Sequence, residues 1–290
     1  MFKKLVNEAV LTFTLRTETP LLINQGSGGK IRPGYDMSPV VSMRAGKDKV
    51  TGKEKETVYI PGSSIKGVFR TRYEQLLTAL QARPCNVVDL KQRCSSDANS
   101  GDQKYQDSCP ACRLFGNLSL GSRIQFADAY PVEEPTLGFR HGVGINRITG
   151  AAHQGAKFDY QMIEKGAFLF TITMQNFALY QLRLIVAVLQ DIDAGLVTFG
   201  MGGTRGNGRL KLVGGVHLEY KMTSNVADRL TGYFESDRGG NIDPQSALFG
   251  IRWSTDDLDS IMAAIGISDK AALEAAISAE NAELEAVNRV

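Results

Sequence analysis

Tyr59-Ile-Pro-Gly-Ser-Ser-Ile-Lys-Gly-Val-Phe-Arg70 stops one element and starts another. Pro61 has no amide to give to a ladder and fixes its own φ, so a strand ends there. Ser63 or Ser64 is predicted to cap the helix that follows, a serine oxygen accepting from the orphan amides of the first turn. Ile65, Val68, Phe69, Leu76, Leu77 and Leu80 recur at helical spacing and form its apolar stripe. Lys66 and Arg70 lie one turn apart on another face.

On either side of this turn the pattern alternates. Glu8 to Arg16 reads as a strand, with Val10, Phe13 and Leu15 set around Thr12 and Thr14. Arg123 to Tyr130 reads as a second. Residues 136–165 mix Gly, His, Arg and aromatics, as a protruding hairpin or loop does, and Ala167 to Met174 is a third strand. Leu179, Leu182, Val186 and Leu189 mark a second amphipathic helix ending near Gly195, and Arg209 to Tyr220 is the last strand. Strand, helix, strand, hairpin, strand, helix, strand is close to the split βαβ pattern of an α+β, ferredoxin-like (RRM-like) fold.

That pattern assigns residues 1–221 to one body and 222–290 to an acidic, helical C-terminal extension, in which Asp269 to Val290 forms one helix with Leu273, Ile277 and Leu284 inward. A hydrophobic fraction of 43% supports a packed core. The longest apolar run, Leu184 to Leu189, is far too short for a bilayer. Lys3 and Lys4 lead into alternation, not into the apolar segment of a signal peptide, so a cytoplasmic protein without a membrane partner is predicted. The net charge of +2 is unevenly spread: residues 225–290 hold 5 Lys/Arg against 12 Asp/Glu, and 24–72 hold 10 against 4. A basic body suits a polyanion, since each cation can neutralise a phosphate, and it suits a solvated Lys-rich loop equally well. Residues 24–58 read as a long, basic loop, a length that in a compact domain is functional or disordered.

All four cysteines, Cys85, Cys94, Cys109 and Cys112, fall within 28 positions as C-x8-C-x14-C-x2-C. A C-x2-C turn supplies two convergent soft ligands, and four thiolates fill the tetrahedron of a structural zinc with no open position for chemistry. Without signs of secretion a disulfide framework does not fit. The competing reading is four unrelated thiols, and the eight-residue first spacing is loose for a ligand pair.

Gly200 to Gly208 places five glycines in nine positions, which lets main-chain amides come against a phosphate. No Lys-Ser or Lys-Thr follows, so it is not a Walker loop, and it opens a strand, not a helix, so it is no dinucleotide fingerprint. A plain hairpin turn accounts for it too. The Pro61–Gly67 turn shares the anion logic, a helix N-terminus backed by Lys66 and Arg70.

Four stretches resemble the RAMP (repeat-associated mysterious protein) superfamily, and most of all its type III CRISPR backbone subunits, the Cas-seven group. They are Ile60–Arg70, Cys109-Pro-Ala-Cys-Arg-Leu-Phe-Gly116, Gly144-Ile-Asn-Arg-Ile-Thr-Gly150 and the loop Gly202–Gly208, and the similarity covers about residues 8–220. The resemblance implies a filament of subunits along a guide RNA within a multi-subunit type III complex. It places the guide backbone at Ser63, Ser64, Lys66, Arg70 and Arg205, with a thumb hairpin at 138–165, including Arg147, that flips a base out of the guide–target duplex. It also implies target RNA cleavage, dependent on a divalent cation such as Mg2+, by an Asp after the first strand. In Ile31-Arg-Pro-Gly-Tyr-Asp-Met-Ser-Pro-Val40 the match is Asp36, with Lys30, Arg32 or Arg44 near enough to neutralise developing charge. Aromatics and Arg in the hairpin suit stacking on unstacked bases. Asp36 also reads as a turn residue beside Gly34. The Gly46–Glu56 segment and the acidic extension depart from the family pattern.

Three other functions compete. A non-cleaving RNA scaffold keeps the fold without hydrolysis. A precursor guide-RNA processing endoribonuclease would use His141, His153 or His217 as acid or base. A small-molecule metalloenzyme would use the cysteines.

Overall fold

The computed structural model describes residues 5, 7–26, 34–43, 55–86, 88–89, 91–94, 100–222, 251–255, 258–265, 267 and 269–287. Strand β1 (Asn7–Thr17) is central, and its alternate residues Ala9, Leu11, Phe13 and Leu15 are buried. Strands β2 (Val41–Ser42) and β3 (Thr57–Val58) form a short antiparallel pair before helix α1 (Gly62–Ala79). Helices α2 (Gly101–Gln106) and α3 (Pro110–Phe115) carry the cysteine region into β4 (Ile124–Phe126) and β5 (Tyr130–Pro131). Strands β6 (Thr136–Ile145) and β7 (Ala152–Lys165) form a long antiparallel hairpin, followed by β8 (Ala167–Gln175), helix α4 (Leu179–Asp193) and β9 (Leu210–Met222). Strand β10 (Ile251–Thr255) and helices α5 (Leu258–Ile265) and α6 (Lys270–Val287) complete the described chain.

The main sheet is antiparallel throughout, in the order β10-β9-β1-β8-β4, with β5 also on β8. One face packs on α1 and α4, which lie side by side. Ile65, Phe69, Tyr73 and Leu77 of α1 meet Leu11, Phe13, Phe170 and Ile172 of the sheet in one apolar cluster, with Phe13 stacked on Phe170 at 5.4 Å. The result is a mixed α+β protein built on antiparallel sheets. Among the described residues no helix is long and apolar enough to cross a membrane.

Several local expectations are corrected. Neither Ser63 nor Ser64 caps α1. The helix starts at Gly62 with Pro61 at the N-cap, whose carbonyl accepts from Ser64 N at 2.9 Å and Ile65 N at 3.1 Å. Gly62 N donates to Asp128 Oδ1 at 2.8 Å, so a carboxylate already occupies the helix entrance. The Arg123–Tyr130 strand is broken, because Ile60 and Ala129 exchange main-chain hydrogen bonds and draw the chain off β8 between β4 and β5. The stripe of α1 also includes Tyr73, which is fully buried. The described ends of the 24–58 loop are laddered: Gln25 N donates to Ser38 O, and Val40 N to Ile23 O.

The C-terminal extension is not purely helical, since β10 extends the sheet beside β9. Leu273 and Ile277 are buried as expected, and the side chain of Leu284 lies outside the described residues. Glu280 of α6 anchors it. Its carboxylate accepts from Tyr105 and Tyr180 hydroxyls, each at 2.6 Å, and from Arg113 Nη1 at 2.8 Å, while the Arg123 guanidinium lies 3.9 Å over the Tyr105 ring.

Candidate nucleic-acid interface and metal centre

A groove of about 500 Å³ runs along α1. Ser64, Gly67, Val68, Thr71, Arg72 and Gln75 of α1 form one wall, and Leu196, Val197 and Thr198, which lead into the glycine-rich loop, form the other. Arg72 is braced there by Asp191 at 2.8 Å and Gln75 at 3.0 Å. Ser63 is exposed on the first turn of α1. Lys66 is half-buried, and burial, with the neighbouring Arg70, lowers its pKa from the ordinary lysine value.

The glycine-rich loop is tied down by main-chain hydrogen bonds. Met201 N donates to Leu22 O and Gly208 N to Pro20 O, both at 2.8 Å, while Arg205, Gly206 and Asn207 donate within the loop. A helix start leaves amides without intrahelical partners. Here those of Gly203 and Thr204 meet no backbone acceptor among the described residues. Arg205, exposed, stands at the end of this 3-10 turn. Asn207 is buried and accepts from Arg140 Nη1 of β6 at 3.4 Å, tying the loop to the hairpin.

Asp36 is part of a ladder. Its amide donates to Asp159 O and its Oδ2 accepts from Asp159 N, both at 2.7 Å. Met37 and Tyr160 bridge in parallel and pack together with Leu22 and Met162. Asp36 lies in a bend, exposed, with its carboxylate turned onto the Asp159 main chain, and the side chain of Asp159, next to Tyr160 on β7, takes the face opposite this cluster. There Asp159 Oδ1 sits 2.5 Å from His141 Nδ1, and that bond is the main cause holding the Asp159 carboxyl below its ordinary pKa. Arg147 is exposed at the hairpin tip, where Asn146 Oδ1 accepts from the amides of Ile148 and Thr149 to close the turn. Lys30, Arg32 and Arg44, and most of the Gly46–Glu56 segment, lie outside the described residues.

The four cysteines converge. Their Sγ atoms all lie within 4.8 Å of one another, and Cys109 Sγ accepts from Cys85 N at 3.4 Å. A tetrahedron of thiolates about 2.3 Å from zinc puts sulfurs about 3.8 Å apart, so this cage fits that metal. Thiol hydrogen bonds from Cys112 and Cys94 lower the pKa of Cys109, while the same contact raises Cys94 to about 11, as expected for sulfurs close enough to share charge. Arg70 points into this cluster. Its Nη2 is 3.4 Å from Cys112 Sγ, Nη1 donates to Gly116 O at 3.1 Å and Nε to Glu74 at 2.8 Å. Burial opposes its charge, but Glu74 and Cys112 more than offset that and hold its pKa above the ordinary value.

The geometry thus brings Ser64 into the groove beside the entry to the glycine-rich loop, draws Arg70 to the cysteines, and fastens Asp36 to the hairpin. Asp128, His141 and Asp159 were not read from sequence as partners of these residues. Only the two-residue alternation of β6 and β7, which puts position 141 opposite 159, carries any trace of them.

The sequence model of the RAMP superfamily matches residues 14–211, and the chain belongs to that superfamily, a membership that suggests a CRISPR-associated, RNA-binding role. No curated protein matches the chain.

Proposed function

We propose that this chain is a guide-RNA-binding backbone subunit of a type III CRISPR effector complex, with a ferredoxin-like core, a zinc held by Cys85, Cys94, Cys109 and Cys112, and Asp36 as the residue that cuts target RNA. The main support is the ladder that fixes Asp36 to the middle of the β6–β7 hairpin through Asp159. A hairpin that pries a duplex open would then carry its own cutting group beside the displaced base. The β1, β4, β8 and β9 order and the helices on one face fit the ferredoxin-like pattern.

Guide phosphates run past the groove between α1 and Leu196–Thr198 to the turn at Gly203–Arg205. Lys66 and Arg205 add charge there, and Arg147 meets bases at the tip. Arg70 serves the cysteine cluster from the inner side of α1, so its part in RNA binding is to hold that helix. Base flipping aligns the ribose 2′-hydroxyl with the adjacent phosphate, and Asp36 takes its proton. Among the described residues only the four cysteines gather three or more His, Cys, Asp or Glu side chains as metal ligands. The described residues therefore build no Mg2+ cage at Asp36, and a divalent cation would be held chiefly by phosphate oxygens, neutralising their charge.

Two measurements test the reading. RNA affinity of the purified subunit should fall with salt, with a log–log slope of about −0.7 per phosphate neutralised, and Arg205→Ala should reduce the slope by about one such step. Assembled complex carrying Asp36→Asn should bind target RNA normally and cut it at least about 100-fold more slowly. A subunit that never captures RNA at low salt, alone or with partners, refutes the binding reading. Unchanged cutting removes Asp36.

A further inference from the structure

His141 and Asp159 form a pair that the reading above leaves without a task. They face each other across the β6–β7 ladder, Nδ1 to Oδ1 at 2.5 Å. Around Asp159, packing on this hairpin is done by the other face, where Phe158, Tyr160 and Met162 join Leu22, Met37 and Met201, while on the His141 side Leu137 and Ile163 reach the core only nearer the hairpin base. Gly142 belongs to the packed Tyr160 side, and a Cβ there would lie 2.2 Å from the Phe158 ring, so the ring packs directly against the β6 backbone. The His141 face is open, with 59% of its side chain and 32% of that of Asp159 accessible. An exposed ion pair contributes little to stability, so the fold has small need of this one.

What distinguishes the pair is its neighbour. The side chain of Asp159 is held by His141, and its main-chain amide donates to the Asp36 carboxylate from the other side of β7. Three adjacent chain segments therefore carry Asp36, Asp159 and His141 side by side, with the Asp159 and His141 side chains paired across β6 and β7 and exposed Asp36 at the edge of β7. Two strand spacings, about 10 Å, separate the outer two backbones. With Nδ1 committed to the carboxylate, the imidazole keeps Nε2 for another partner, and the edge contact with Phe139 at 5.7 Å steadies the ring.

We propose that His141, oriented by Asp159, is the proton donor to the leaving oxygen when Asp36 initiates RNA cleavage. The inference rests on the assignment of Asp36 above. The 2′-hydroxyl gives its proton to Asp36 as its oxygen bonds to phosphorus. The bond from phosphorus to the 5′-oxygen breaks, and His141 Nε2 protonates that oxygen. The products are a 2′,3′-cyclic phosphate and a 5′-hydroxyl, with no oxidant or external reactant. Asp159 is a positioning residue. The charged groups acting on the pair are its own two members and Lys157 on β7, and Asp36 of the 34–43 segment bonds the Asp159 main chain.

The test is cleavage of bound target RNA by the assembled complex across pH 5.5 to 8.5, a window centred near the ordinary histidine range, for wild type, His141→Gln, Asp159→Asn and Asp36→Asn, with RNA affinity measured in parallel. Expected results are a loss of about 100-fold or more for His141→Gln at unchanged affinity, disappearance of the alkaline limb that wild type shows as the imidazole deprotonates, and an intermediate loss for Asp159→Asn. If His141→Gln cuts within about threefold of wild type and keeps that limb while Asp36→Asn is dead, this inference is wrong and the Asp36 assignment stands. If Asp36→Asn cuts normally, or wild type never cuts, both fall.

Discussion

Gly206 and Gly208 both take the left-handed backbone, at φ 83° and 81°, and differ in their surroundings. A Cβ on Gly206 would meet nothing within 4 Å, whereas one on Gly208 would lie 2.0 Å from Phe199 O. Gly206→Ala should therefore cost about 1 kcal/mol, the strain of its φ alone. Gly208→Ala must also push back the Phe199 carbonyl and weaken the bond from Phe199 N to Gly208 O, for a loss of about 3 kcal/mol or more. Urea denaturation of the two variants measures the difference, and equal midpoints would show that the loop yields. Sequence shows five glycines here but not which are sterically required, because the carbonyls that crowd them come from Leu22 and Phe199. Arg70 has the same limitation. Its spacing from Lys66 suggested a phosphate contact, while its partners, Cys112 and Gly116, lie more than forty residues away.

At the scale of elements, the helix entrance is where residue-level reading and structure part most clearly. Ile60–Arg70 reveals the strand end and the helix, but the acceptor at the entrance is Asp128, supplied after β4 and not by the local serines. Losing such a carboxylate from a first turn costs about 0.5–2 kcal/mol. Asp128→Ala should lower stability by that amount in thermal or urea unfolding. RNA affinity should hold or rise, because an anion next to the groove is removed; a fall would mean that Asp128 organises the RNA site directly. The cysteine segment was more legible, since four thiols with no others in the chain leave few ways to pair. If it holds zinc, Arg70→Ala removes a donor to Cys112 and charge compensation from the thiolates, an outer-shell change typically worth about 10–100-fold in metal affinity. Release of zinc to a colorimetric chelator at fixed protein concentration checks this. Identical release from variant and wild type would confine Arg70 to its contacts with Glu74 and Gly116.

For the molecule as a whole, the alternation of β1, β8 and β9 and the stripes of α1 and α4 made the sheet and its covering helices readable, because each period shows in its own segment. The anchorage of the C-terminal extension was not readable. Glu280 sits in an acidic, Ala-rich helix where carboxylates look solvated, and its partners Tyr105, Arg113 and Tyr180 are at least 100 residues upstream. With side-chain accessibilities of 7% and 3%, Arg113 and Glu280 form a buried pair. Removing one partner of such a pair leaves a charge in low dielectric and costs about 3–5 kcal/mol. Glu280→Gln should therefore lower the melting temperature by about 10 °C, and replacing Arg113 with Met as well should recover part of it. Alkali gives a second readout of the same site. Burial first, and then the Glu280 charge, raise the pKa of the Tyr73, Tyr105 and Tyr180 phenols in the fold. In the unfolded chain these protons leave near pH 10. Stability is thus undiminished by these groups below that pH and falls as pH rises past it, because unfolding then releases protons. Urea midpoints should hold between pH 8 and 9 and decline above about pH 10, less steeply in Glu280→Gln, where the nearby negative charge is gone. A midpoint flat through pH 11 would mean that the phenols are not enclosed and that α6 does not seal the core.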